Sequence, residues 1–284
     1  MAVENCKHFN GYKPCGKNYL CDNLCPDKTI VSKTILVIHL GALGSVVRSS
    51  ALLRKIKSED SSSFVIWLTS SSVKPILDGH SGIDRLITLD FDGILKLKNY
   101  FFDTVFVVDK SQEAVGVLDF LKYKTLYGFI SNPINGAILP ASKESEEIWQ
   151  LGIDNHKKFF VNQKTELELI YESFGWSYHR EAYWIELTSA EITASKLRKE
   201  VWLKTNHKKL IVGINTGCSQ VIPYKKLTVE KHIELIKQIS QKFPHLQIVL
   251  LGGREDNERN NEIKKSFKDL ILSDNLSGLR DGMI

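Results

Sequence analysis

The sequence predicts an α/β protein of two Rossmann-like domains with parallel sheets, the second incomplete. Three observations predict it. Short β-rich apolar runs alternate with helix-length segments from Thr34 onward. The runs are apolar on both faces, as in a parallel sheet covered on each side. The alternation then restarts near Lys208, after a long helical stretch. A chain of 284 residues suits two domains, and 43% hydrophobic with 25% charged residues is the mix of a folded globular protein.

The expected strands of the first domain are Thr34 to Leu40, Ser63 to Thr69, Arg85 to Leu89 and Thr104 to Asp109. A helix around Lys164 to Phe174 ends at Gly175, Tyr183 to Leu187 reads as a crossing segment, and a longer helix runs from Ser189 to about Lys204. The second domain opens with a strand from Leu210 to Gly217, then a helix from about Val229 to Lys242. A strand from Gln247 to Gly253 and a helix from about Asp256 to Phe267 follow. This divides the chain into a Cys-rich segment (1–32), a first domain (33–207) and a second domain (208–284). Only two clear strands of the second domain precede Ile284, whereas a doubly wound half normally needs more to cover its sheet. The expectation is an incomplete domain, with little or no activity in the chain as it stands.

A formal charge of +5, from 38 basic and 33 acidic residues, is too small to imply nucleic-acid binding without a clustered basic face. An anionic small ligand or an acidic membrane surface suits it equally. No basic-then-apolar leader opens the chain, and no apolar run has membrane-spanning length. A cytoplasmic protein is expected. In that compartment Cys6, Cys15, Cys21 and Cys25 point to a structural metal rather than disulfides. Four thiolates suit tetrahedral zinc, iron is the competing metal, and free thiols are the plain alternative.

Three stretches carry candidate chemistry. Ile35 to Arg54 reads as a buried strand, a turn containing Gly41 and Gly44, and a helix opening near Ser45. Such glycines let a ligand approach the backbone, although Ser45 is also a good N-cap and the glycines could serve the turn alone. The loop from Asn215 through Thr216, Gly217 and Ser219 to Lys225 places small polar residues and a lysine between a strand end and a helix start. That combination makes a diphosphate site. Read plainly, Lys225 and Lys226 are solvated charges and Thr228 an N-cap. In Leu250-Leu-Gly-Gly-Arg-Glu-Asp, Glu255 first and Asp256 second suit the hydroxyls of a ribose; otherwise they are first-turn acids that favour the helix dipole.

The first stretch resembles the opening of the heptosyltransferases of glycosyltransferase family 9: an apolar strand, Leu-Gly-(Ala or Ser)-(Leu or Met)-Gly-Asp-Val, and a helix with Leu-Leu and a basic residue. The other two are similar to that family's donor loop and its Gly-Gly-x-Glu. The resemblance implies the two-domain GT-B architecture, with an N-terminal acceptor domain and a C-terminal donor domain. It implies metal-independent, inverting transfer of heptose from ADP-heptose to a lipopolysaccharide core or related glycan or lipid-linked acceptor. A peripheral contact with the inner membrane is left open. By the same comparison Asn215, Thr216, Gly217, Ser219 and Lys225 line the donor phosphates, Glu255 or Asp256 meets the ribose, and Gly41, Gly44 and Arg48 form the acceptor loop. Some family members are similar also in a Cys-rich segment ahead of the first strand.

One departure matters chemically. Ser45 stands where the family's aspartate is proposed to take the acceptor's proton, and an alcohol is a poor general base unless something activates it. His39, at the end of the strand, is the other candidate base, although strand histidines are more often packed than catalytic. Leu227 and Thr228 replace the family's Trp-Pro. A degenerate, nonenzymatic sugar-nucleotide-binding protein is the alternative reading. An NAD-dependent oxidoreductase is disfavoured, because no G-x-G-x-x-G follows either domain's first strand.

Overall fold

The computed structural model describes residues 3–205, 208–217, 225–274, 278 and 280–283. They form two compact units, Met1–Glu186 and Leu187–Ile284. The long helix after Thr188 is grouped with the second unit, whereas the sequence reading sets it at the end of the first domain.

In the first unit, β1 (Thr34–Ile38) is followed by α1 (Leu43–Ser49) and α2 (Ala51–Glu59). Then come β2 (Phe64–Thr69), α3 (Lys74–Leu77), β3 (Arg85–Thr88), α4 (Phe91–Leu97) and β4 (Phe101–Val107). After α5 (Gln112–Gly116) and β5 (Lys122–Tyr127), a short antiparallel hairpin of β6 (Phe129–Ser131) and β7 (Ile138–Pro140) leads to α6 (Glu146–Ile153) and α7 (Glu166–Ser173). The main sheet is wholly parallel with the order β3-β2-β1-β4-β5. Its central register sets Leu36 against Ile66 on one side and Val105 on the other, all of them buried. Covering both faces of this sheet removes every side chain of β2 from water, which is why Phe-Val-Ile-Trp-Leu-Thr reads as a continuous run rather than an alternating one.

α7 supplies part of that cover. Leu167, Leu169, Ile170 and Tyr171 are buried, and the Tyr171 hydroxyl donates to the carbonyl of Ala51 at 2.9 Å. Thr165 and Glu168 close a capping box that fixes the start of α7, and with it the position of Glu166. The N-terminal segment is held to the same unit. Lys7 and Lys57 both reach the carboxylate of Asp84, at 2.7 and 3.2 Å, and Cys6 bridges Ile30 in antiparallel fashion.

The second unit contains α8 (Ser189–Thr205), β8 (Leu210–Asn215), α9 (Val229–Lys242), β9 (Leu246–Leu251), α10 (Asn257–Lys264) and β10 (Ile271–Leu272). Its strands are parallel in the order β10-β9-β8. Ile236 of α9, Ile248 and Leu250 of β9, Ile263 of α10 and Leu270 make its core. Thr228 is the N-cap of α9, its hydroxyl accepting from the Lys231 N–H at 3.3 Å. Arg198 and Glu191 on α8 pair with Asp281 and Arg280 at 2.7 and 2.6 Å, tying the last described residues to that helix.

Candidate functional site

In the first unit β1 and β4 are neighbours whose connections run to opposite sides of the sheet, so a crevice opens beyond their carboxyl ends. A cavity of about 690 Å³ lies there, lined among others by His39, Gly41, Ser45, Arg48, Asp109 and Glu166. A Cβ placed on Gly41 would meet nothing within 4 Å, so this loop turns bare backbone toward open space. Neither Gly41 nor Gly44 has a positive φ, and the tight-turn explanation for these glycines therefore loses its conformational basis.

The local geometry corrects one expectation. α1 opens at Leu43 with Ala42 as its N-cap, which lacks a side-chain cap bond, so Ser45 lies inside the helix rather than capping it. The Ser45 hydroxyl is engaged elsewhere: Oγ donates to Oε1 of Glu166 at 2.6 Å. Arg48, one turn on, donates from Nε to Oε2 of the same carboxylate at 2.8 Å and from Nη2 as well. A carboxylate from α7 is thus brought to within one hydrogen bond of the serine.

His39 is packed. Its side chain is buried, its ring centroid lies 6.4 Å from that of Trp67, and Nδ1 is 2.6 Å from Ser49 Oγ. Ser49 Oγ in turn donates to the carbonyl of Val46 at 3.1 Å, which assigns the imidazole proton to Nδ1 as donor. Burial lowers the pKa of His39 to about 4, so the ring is neutral near pH 7. Its Nε2 faces Oδ1 of Asp109 at 3.8 Å. Asp109 follows β4, and its Oδ2 accepts from the backbone N–H groups of Leu40 and Gly41. Burial raises its carboxyl to about 6, outweighing the two N–H donors that pull the other way. With a neutral imidazole opposite, the His39–Asp109 contact is not an ion pair at neutral pH. Asp109 acts on the loop's shape, clamping the strand-to-helix turn.

Asp109 and Glu166 line this cavity, and sequence reasoning missed both. Asp109 had a legible signal, since it ends an apolar strand at the carboxyl edge of a parallel sheet. Glu166 had none, because its role depends on where α7 docks.

In the second unit the loop after β8 packs against the turn after β9. A Cβ on Gly217 would fall 1.8 Å from Asp256 Oδ2, so only glycine fits that approach. The Thr216 hydroxyl points inward, bonding the Leu251 carbonyl at 3.2 Å and Asn260 Oδ1. Asp256 is 2% exposed, accepts from the Gly253 N–H at 3.0 Å and pairs with Lys226 at 3.3 Å. Thr216, Gly217 and Asp256 therefore build the loop. Asn215, Lys225 and Glu255 are exposed at the same sheet edge, with Asn215 Oδ1 accepting from the Gly217 N–H at 3.1 Å. Ser219 lies outside the described residues.

Cys6, Cys15, Cys21 and Cys25 carry free thiols and line one cavity of about 20 Å³ together with His8. Among the described residues no group of three His, Cys, Asp or Glu side chains is drawn together closely enough to hold an ion.

A glycosyl transferase of family 9 from Veillonella parvula DSM 2008 aligns with a TM-score of 0.64 at 13% identity, covering 86% of this chain and 69% of that one. The chain has the fold of family 9 glycosyltransferases. This α/β fold, of GT-B type, is shared with E. coli ADP-heptose lipopolysaccharide heptosyltransferase II, at a TM-score of 0.57 and 17% identity over 87% of this chain and 74% of that one. It is shared too with E. coli heptosyltransferase WaaC with ADP, at 0.54 and 13% over 86% and 75%. No protein-family model matches the chain, and no curated protein matches its sequence. Among the described residues no helix is long and apolar enough to cross a membrane.

Proposed function

We propose that the protein is a glycosyltransferase that moves heptose from ADP-heptose to a hydroxyl of a lipopolysaccharide-core or related glycan acceptor, by a single inverting displacement. The observation that carries this reading is the acceptor-sized cavity beyond β1 and β4, with a carboxylate at its wall, in a fold shared with heptosyltransferases. The related structures holding ADP and ADP-2-deoxy-2-fluoro heptose support the choice of donor. In this reading exposed Lys225 stabilises the departing diphosphate and Glu255 meets the ribose hydroxyls.

A peripheral membrane contact on the acceptor side is part of the same proposal. Phe159 and Phe160, 66% and 76% exposed, follow Lys157 and Lys158 beside the cavity, and Phe159 lines it. Aromatic side chains next to basic ones suit the boundary of an anionic membrane and a lipid-linked acceptor. For the N-terminal segment we propose a structural metal, zinc ahead of iron, held by the four cysteines. Their confinement to one cavity supports it, as does the Cys6 thiol: burial raises its pKa, but the backbone N–H groups of His8, Thr29 and Phe9 bring it below the usual thiol range.

The serine at position 45 favours the second reading, a nonenzymatic sugar-nucleotide-binding protein or inactive fragment, and the expectation of little or no activity in the chain as it stands belongs to that reading. Saturation binding with a panel of nucleotide sugars, run beside ADP release with and without acceptor, separates the two. Acceptor-dependent ADP release supports the transferase, whereas tight binding with no release supports the binder.

A further inference from the structure

We propose that Glu166 is the general base of the transfer, delivering from α7 the carboxylate that position 45 lacks. The inference rests on the glycosyltransferase reading and adds to it the identity of the proton acceptor.

Among the described residues, three imidazole or carboxylate groups line the cavity. His39 is 1% exposed and its unprotonated Nε2 faces Asp109, so an acceptor hydroxyl cannot reach it. Asp109 is 17% exposed at its side chain, and Oδ2 is committed to the two loop N–H groups. Glu166 is the open one, with 44% of its side chain exposed. Arg48 occupies Oε2 and so fixes the plane of the carboxylate, while Oε1 receives, among the described residues, only the Ser45 hydroxyl. A carboxylate oxygen has two lone-pair sites, so Oε1 can accept from a sugar hydroxyl beside Ser45, or in its place. Ser45 and Arg48 are then positioning residues. The start of α7 that carries this glutamate is pinned by its own capping box, which keeps the carboxylate from drifting.

The step balances without a further reactant. An oxygen lone pair of the acceptor forms the new bond to the anomeric carbon as the bond from that carbon to the diphosphate oxygen breaks, and that bond's electron pair leaves with the diphosphate. The hydroxyl proton passes to Glu166 Oε1 and is lost to water after the product departs.

The test uses the full chain and four variants: Glu166→Gln, Glu166→Asp, Ser45→Asp, and Ser45→Asp combined with Glu166→Gln. Transfer from ADP-heptose is followed across pH, and saturation binding of ADP-heptose is measured on the same samples. Loss of a general base typically costs about 10²–10⁴-fold in rate. Glu166→Gln should lose kcat by that range, keep donor binding, and lose the acid limb of the pH profile. Glu166→Asp should retain part of the rate, which guards against a glutamine variant that simply fails to fold. The double variant should regain at least about tenfold over Glu166→Gln, because it returns a carboxylate to position 45. A Glu166→Gln rate within about threefold of wild type would overturn the proposal, since so small a loss is below any general-base contribution. So would an unrescued double variant that still binds donor. Absence of transfer by every chain, wild type included, would overturn the transferase reading and this base with it, whereas normal wild-type transfer with an indifferent Glu166 overturns the base alone.

Discussion

Replacing Asp109 with asparagine should make the first unit lose more stability on acidification than the wild type does. Two buried groups with opposite proton linkages set this difference. His39 titrates near 4 in the folded protein against 6.5 ordinarily, so between those pH values the unfolded chain binds the extra proton and stability falls as pH falls. Asp109 titrates near 6 against 3.8, so over nearly the same window the folded protein binds the extra proton and stability rises as pH falls. At about 1.4 kcal/mol per pH unit, each effect amounts to about 3 kcal/mol, and the two oppose each other. The net contribution of this pair to wild-type stability is thus nearly level from pH 6.5 to 4. Asparagine keeps an oxygen for the Leu40 and Gly41 N–H groups but cannot titrate, so Asp109→Asn exposes the His39 penalty. Urea unfolding at pH 7, 5.5 and 4, followed by far-UV circular dichroism and tryptophan fluorescence, should show the variant losing about 3 kcal/mol more than wild type over that span. Parallel pH curves for the two chains would refute the assignment of a neutral imidazole beside a protonatable carboxyl.

Three further outcomes are expected. Lys225→Ala should weaken ADP-heptose binding by about 1.5–3 kcal/mol, read by calorimetry, with stability unchanged. Lys226→Ala should instead destabilise the second unit by about 1–3 kcal/mol, read by urea unfolding, because it leaves the buried Asp256 carboxylate without its cation. Metal analysis of protein purified without added metal should find near-stoichiometric zinc or iron that falls sharply in the Cys21→Ser, Cys25→Ser double variant; four rapidly alkylated thiols and no metal would be the contrary result. Changing both Phe159 and Phe160 to serine should weaken co-sedimentation with anionic phospholipid vesicles at least about tenfold, given about 1.5–3 kcal/mol for each phenylalanine that enters an apolar phase.

The parts of the fold that the sequence makes legible are those governed by local pattern. β2 and β9 are continuous apolar runs because both of their faces are covered, and α9 begins and ends where Thr228 and Lys242 say it should. β5 is different: Lys-Tyr-Lys-Thr-Leu-Tyr lies at an edge, paired only with β4, and its half-exposed residues give no apolar run to read. The β6–β7 hairpin is similarly short and only partly buried. In the candidate site, the glycine loop and His39 were visible because they follow a strand in the chain. The Ser45–Glu166 contact was not, because it joins residues separated by 121 positions and exists only once α7 has packed against α1. In the second unit, residue type suggested ligand contact for Thr216, Gly217 and Asp256 alike. Packing uses all three internally and leaves Asn215, Lys225 and Glu255 facing outward.

The central claim is sugar transfer, and the most direct measurement is mass spectrometry of an acceptor incubated with the full chain and ADP-heptose. The account predicts product heavier by one heptose, formed with an equal amount of ADP. Bound donor with unmodified acceptor and no ADP would contradict it and leave a sugar-nucleotide-binding protein in its place.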